Sequence, residues 1–473
     1  MPSFQRYAIL LLDLNIIHMQ RQIRREIFSL AIPVVFSSLL QRAVNIVDIF
    51  LVGGLGAAAI AAVGIGQLLI FIVMTLIWGL SAGTTVVVAQ LWGAQRQKEA
   101  ALVGFQSILL GAFLGIGISL TGFFVSQQGA IFLGAGSEVL SLTHPYLRII
   151  FSFFLFTLLV NLLSAIMYGT GDTRPPLHAA ILMNILHVAV AYPLIYGLWG
   201  APQLGVMGAA VAVGVSEVAG AVYLLNIGFK KGYLLRGWAN HGLMRQVIQV
   251  GLPVFADRLF QQAGQMMYLK AVMIYGTVAY AAHQVGLAIE SFSFLPGLGI
   301  SMAVTAAVGQ RLGANQLHQA TIAHREANRL AIAIMTVMGL VFFFAPYLLL
   351  RIFTDDPEVI RLGTSFLKIV AILQIPLAIT MVLSGSLKGA GDTRFLFWST
   401  VAGSWGIRVP FAWLFATGLK LDLTAVWSLM VVDWFTRMCM LIYRYRTEKW
   451  QAGNLVQAYA QDPRPLPAEA KVG

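Results

Sequence analysis

The chain has 473 residues, 58% hydrophobic and only 11% charged, with a mean hydropathy of +0.80. A soluble domain carries about 25% charged residues, so the composition excludes an ordinary soluble globular protein and predicts a polytopic membrane protein. The net charge of +12 is read as basic residues gathered in cytoplasmic loops rather than as a nucleic-acid surface. The single Cys439 rules out a disulfide framework or a thiol metal site and is expected to be a small buried hydrophobe.

Residues 8–17 are apolar but broken by Asp13, and no small-residue cleavage site precedes Arg21, so no cleaved leader is predicted; Met19 is an alternative start. The run Arg21-Gln22-Ile23-Arg24-Arg25-Glu26 reads as an amphipathic cytoplasmic collar. A bilayer-spanning helix needs about 20 mostly apolar residues. Twelve are predicted, at 27–51, 59–89, 101–126, 145–168, 176–199, 206–229, 247–271, 279–309, 328–352, 365–387, 395–417 and 424–443. These give a cytoplasmic segment 1–26, a six-helix lobe 27–229, a basic inter-lobe loop 230–246, a second six-helix lobe 247–445 and a disordered cytoplasmic tail 446–473. On this map 21 of the 31 Lys and Arg lie on the side of the N-terminus, and only Arg351, Arg361 and Lys420 lie on the other. The positive-inside rule therefore places both termini in the cytoplasm of a multi-pass inner-membrane protein.

The chain repeats at one constant offset. Pro33 returns as Pro253, Gln90 as Gln310, and Gly171-Asp172-Thr173-Arg174 as Gly391-Asp392-Thr393-Arg394, with the same spacing in every case. Six helices per copy means that both enter the membrane in the same direction, so the copies should be related by an axis along the membrane normal. A duplicated half of this kind points to a transporter with its substrate site at the interface of the halves.

Charges inside the bilayer are expensive and mark function by default. The embedded acids are Asp48, Glu217, Asp257, Glu290 and Asp433. Ser37, Gln41, Asn45 and Asp48 share one face of the first helix; their counterparts in the second copy are Asp257, Gln261, Gln265 and Tyr268. Such stripes should face each other or water across a central cavity. Asp48, with Asn45 and Gln41, is the candidate cation-coupling site. A carboxylate there can load a proton or join an alkali-cation cluster; the plainer reading is a helix-end acid at the headgroup level. Asp257 is open to local pairing with Arg258, and Glu290 to a packing or hydrogen-bonding role. His187 reads as a core histidine or a proton relay, with Asn184 nearby. Pro33 and Pro253 are hinges or static bends. The two Gly-Asp-Thr-Arg turns are expected to fix loop geometry. No metal-ligand spacing and no nucleophile–base constellation is present, which predicts neither an enzyme nor a cofactor.

The run Gln41-Arg42-Ala43-Val44-Asn45-Ile46-Val47-Asp48, Gly53-Gly54-Leu55-Gly56-Ala57, Val88-Ala89-Gln90 with Gly93-Ala94, both Gly-Asp-Thr-Arg turns and Leu295-Pro296-Gly297-Leu298-Gly299 together resemble the multidrug and toxic compound extrusion family, from about residue 27 to 445. The resemblance implies an all-α fold of two six-helix lobes forming a V, alternating access, and efflux of small amphipathic, cationic compounds in exchange for H⁺ or Na⁺. Asp48 matches the family's coupling carboxylate. Gln261 stands where one branch has a glutamate, so the chain is closer to the DNA-damage-inducible-F-like branch. That group's helix-five Asn and Asp positions are filled here by His187 and Ala191, which weakens a sodium cage and leaves protonation of Asp48 as the simpler mechanism. The expected protein is thus a monomeric proton-coupled exporter whose partners are its small-molecule substrate and the lipid bilayer. A lipid-linked oligosaccharide flippase is the runner-up, and a polytopic membrane enzyme, a channel or a receptor fits less well.

Overall fold

The computed structural model describes residues 2–238 and 241–455. Its long helices are α1 (Pro2–Gly53), α2 (Ala57–Gly93), α3 (Gln97–Phe132), α4 (Ser137–Thr170), α5 (Arg174–Tyr196), α6 (Val206–Lys230), α7 (His241–Met273), α8 (Thr277–Gly313), α9 (Leu317–Phe344), α11 (Pro357–Gly389) and α14 (Leu423–Arg446). The short helix α10 (Pro346–Arg351) follows α9; α12 (Thr393–Thr400) and α13 (Val409–Trp413) are joined by a π-helical stretch, Val401–Arg408, and a second one, Leu414–Gly418, follows. No strand occurs among the described residues.

Ten of these helices are long and apolar enough to cross a bilayer. The two other expected spans differ for visible reasons. Helix α7 carries Asp257, Arg258, Gln261, Gln265 and Lys270 along its length, which lowers its hydropathy. The expected span 395–417 is not one regular helix. Pro410 has no N–H to give the carbonyl four residues back, and the ladder around it widens into the π form. The expected span 328–352 is also cut, after Phe344, because Pro346 cannot continue the ladder and its ring crowds the carbonyl of Phe342. Cys439 is exposed rather than buried. Most of the tail expected to be disordered lies outside the described residues. Its start does not: Lys449–Ala452 forms a 3₁₀ turn whose Trp450 is buried and stacks on Tyr445 at 4.9 Å.

Packing divides the chain into two compact units. An N-terminal unit holds Pro33–Phe255 with Leu455, and a C-terminal unit holds the residues up to Ile32 with Ala256–Asn454. These units cut both first helices of the repeats. Ile23 and Ile27, at the start of α1, are buried with Ala307, Val308 and Leu312 in the C-terminal core. Leu243 and Val247, which hold the equivalent positions at the start of α7, are buried with Val87, Val88 and Leu91 in the N-terminal unit. Two ion pairs fix the α1 segment: Arg24 Nε to Glu326 Oε2 at 2.6 Å and Arg311 Nη2 to Glu26 Oε2 at 2.7 Å. The α7 segment is instead seated by a close crossing, where a side chain on Gly251 would meet the carbonyl of Gly79 at 2.6 Å.

The repeat is visible in hydrogen bonds as well as in sequence. Thr85 donates to the carbonyl of Ala165 at 2.9 Å, and its repeat partner Thr305 donates to that of Gly385, the partner of Ala165, at 3.0 Å. The Gly-Asp-Thr-Arg turns begin with Gly171 and Gly391 at φ of 82° and 79°, a left-handed backbone that favours glycine. Their aspartates tie the turns to the end of each lobe's last helix: Asp172 accepts from Lys231 at 2.6 Å, and Asp392 from Arg444 at 2.6 Å.

Candidate transport site

In the N-terminal unit, Asp48 lies one turn before the end of α1. Its Oδ1 is 2.6 Å from His187 Nε2 on α5, and the two side chains are only 14% and 3% exposed. Nearby, Tyr196 on α5 donates to the carbonyl of Leu51 at 2.7 Å, an approach that has Gly54 under the phenol. Two bonds thus pin α5 to the end of α1. A carboxylate and an imidazole at this distance share one hydrogen bond.

The other residues of this region take separate places. Gln41 and Asn45 are exposed, and Ser37 is half-buried, its hydroxyl donating to the carbonyl of Pro33 at 2.8 Å. Asn184 spends its amide on the carbonyl of Ala180 at 2.5 Å, within its own helix. Ala191, buried one turn beyond His187, brings no polar atom. Among the described residues no group of three or more His, Cys, Asp or Glu is arranged to hold a metal ion. Glu217 on α6 is buried with one carboxylate oxygen unpaired.

In the C-terminal unit, the α7 stripe separates into two environments. Asp257 and Gln261 line a cavity of about 70 Å³ together with Arg258, Thr380, Lys388 and Arg437. Gln265 accepts from Arg408 at 3.3 Å. Tyr268 is fully buried, donates to the carbonyl of Val426 at 3.1 Å, and has the Arg408 guanidinium 5.3 Å from its ring centre. It therefore turns into the core of its unit and lines no open cavity, contrary to expectation. Glu290 is also buried. Asp433, fully buried, pairs with Arg437 at 2.6 Å and with Arg408 at 3.0 Å. The sequence alone gives Asp433 little weight. The signal that could have raised it is Asp433 and Arg437 one turn apart in an otherwise apolar helix, the spacing of a helical ion pair.

A family model described as MatE matches residues 33–193 and 253–414, two segments that begin at the repeat-related prolines Pro33 and Pro253. The chain belongs to the MatE family. A probable multidrug resistance protein of Thermotoga maritima is 29% identical over 437 residues, covering 91% of this chain and 94% of that one. An uncharacterized transporter of Bacillus subtilis is 25% identical over 430 residues, 90% of this chain and 94% of that one. Among solved structures, a MOP superfamily transporter from Pyrococcus furiosus superposes with a TM-score of 0.83 at 24% identity, covering 91% of this chain and 97% of that one. A Vibrio cholerae MATE transporter reaches 0.86 at 19% identity, over 92% and 100%. At such identities the structures speak for the fold alone. This MatE protein is a multi-pass membrane transporter.

Proposed function

We propose that the protein is a secondary antiporter of the inner membrane, closer to the DNA-damage-inducible-F-like branch, that exports small amphipathic, cationic compounds in exchange for protons. The observation that carries this reading is the 2.6 Å contact of Asp48 with His187. Its chemistry needs one partner and one proton, whereas an alkali cation needs several oxygen ligands at once. Export against a gradient requires that proton loading change the relative stability of two states of the transporter, because a ligand bound equally by both shifts nothing. Neutralising a carboxylate held in a largely desolvated place favours the state that desolvates it further.

The flippase alternative draws no support from Arg408 and Arg437, which are both engaged by Asp433. The test is transport in vesicles under separate proton and sodium gradients. Export of a cationic dye is expected to follow the pH gradient in the native protein and to fall at least tenfold in Asp48→Asn, with the protein still folded. Export that ignores the pH gradient and follows Na⁺ refutes proton coupling.

A further inference from the structure

Two side chains at the cavity of the C-terminal unit have a buried polar atom with no hydrogen-bond partner among the described residues. Thr380 is buried at 4% exposure, and its hydroxyl has no hydrogen-bond partner. Asp257, which lines the same cavity, has a buried oxygen, Oδ1, without a hydrogen-bond partner. Lys388 lines it too, within electrostatic reach of both Asp257 and Arg258. Asp257 and Lys388 share one small cavity, with the second cation Arg258 beside them. Buried polar and charged groups left this way cost stability unless something meets them.

Charge decides what fits. A simple carboxylate would answer Lys388 but face Asp257; a simple cation would answer Asp257 but face Lys388 and Arg258. Only a ligand carrying both signs satisfies both ends, and it brings no net charge into the lobe. The remaining wall is mixed: Phe294, Leu298, Met381 and Trp434 are apolar, while Gln261, four serine and threonine hydroxyls and the ion-paired Arg437 are polar. At about 70 Å³ the cavity is far smaller than the roughly 300 Å³ or more of a site that encloses a drug-sized ligand, so it takes a head group rather than a whole molecule.

We propose that this cavity is a socket for the zwitterionic head of an amphipathic substrate, with the substrate's carboxylate on Lys388 and Thr380 and its cationic donor on Asp257. The assignment rests on the exporter reading and narrows its substrate class from cations to zwitterions.

The experiment compares a rhodamine bearing a free carboxylate with the methyl ester of the same dye, using the full-length protein. Binding is read by fluorescence polarisation and export in vesicles. The native protein is expected to bind the free acid about tenfold more tightly than the ester, the weight of one charge-assisted hydrogen bond at its modest end. Lys388→Gln should erase that preference while leaving ester binding within about threefold; Lys388→Arg should retain it. Asp257→Asn should weaken both dyes. Equal binding of the two dyes by the native protein, or a preference that survives Lys388→Gln, overturns the socket. If the ester is nevertheless exported, the exporter reading stands without it; if neither dye is bound or exported, both fall.

Discussion

Two buried clusters of charge divide the labour at the level of single residues. The Asp48–His187 pair is a single carboxylate–imidazole contact, the one the proposed coupling would use. The Arg408–Asp433–Arg437 group is a fixed structure in which one carboxylate holds two guanidiniums out of water. Removing one partner of a buried pair costs about 3–5 kcal/mol because the other charge stays behind. Asp433→Ala is therefore expected to lower the thermal unfolding temperature of the purified protein sharply, whereas Asp257→Asn should change it little. Equal melting of the two variants would contradict the structural role given to Asp433. His187→Gln preserves a donor beside Asp48 but removes the imidazole. It should keep export and shift its pH profile, while an unmoved profile would mean that His187 only packs. Asp48 and His187 lie 139 residues apart in sequence, so no local pattern joins them. What the sequence carried was the polar face of the first helix, not the partner that completes it. Asp433 and Arg437 were legible, one turn apart, but their weight came only from seeing that neither reaches water.

At the scale of helices, the spans were readable because each needs a long apolar run, and ten such helices are present among the described residues. In two of the expected spans, 328–352 and 395–417, proline changed the outcome. Pro346 and Pro410 look alike in sequence, yet one ends a helix and the other lies in a helical stretch that widens into π turns. Capping is the easier rule. Asp422 precedes α14, accepting from the Thr424 backbone at 3.3 Å and from its hydroxyl. The Thr424 hydroxyl holds the Asp422 carboxyl below its ordinary range. A depressed pKa contributes stability that is present above the unfolded value and lost as pH falls through the folded one. Asp422→Ala is thus expected to cost about 1 kcal/mol at neutral pH, and that difference should shrink in melts run at pH values below the ordinary carboxylate range. The crossing of α7 over α2 offers a second check: Gly251→Ala places a methyl against a backbone carbonyl, an overpacking expected to cost about 1–3 kcal/mol. Unchanged stability in that variant would show that the helices part easily.

For the whole molecule, the positions of the prolines gain meaning from packing. The N-terminal unit begins at Pro33, and its main segment ends two residues after Pro253. A proline inside a helix removes a backbone bond and loosens the ladder at that point, and here each falls where its helix passes from one unit's packing to the other's. Pro33→Ala is expected to leave the fold and substrate binding intact and to slow export several-fold; export at the native rate would make the proline a static bend. The repeat was legible from matched motifs alone. The exchange of helix starts was not, because a repeat found in sequence says which segments are equivalent and nothing about which core each one enters.

That exchange speaks to ancestry. A single copy of the repeat would have carried a first helix whose opening turns found no home in its own bundle and a bundle whose seat for such a segment stood empty. Two copies supply each other. The ancestral gene product is then most simply a pair of identical chains trading arms, and fusion made the trade permanent. Residues 1–229 and 230–473 made as separate chains should accordingly accumulate only when produced together.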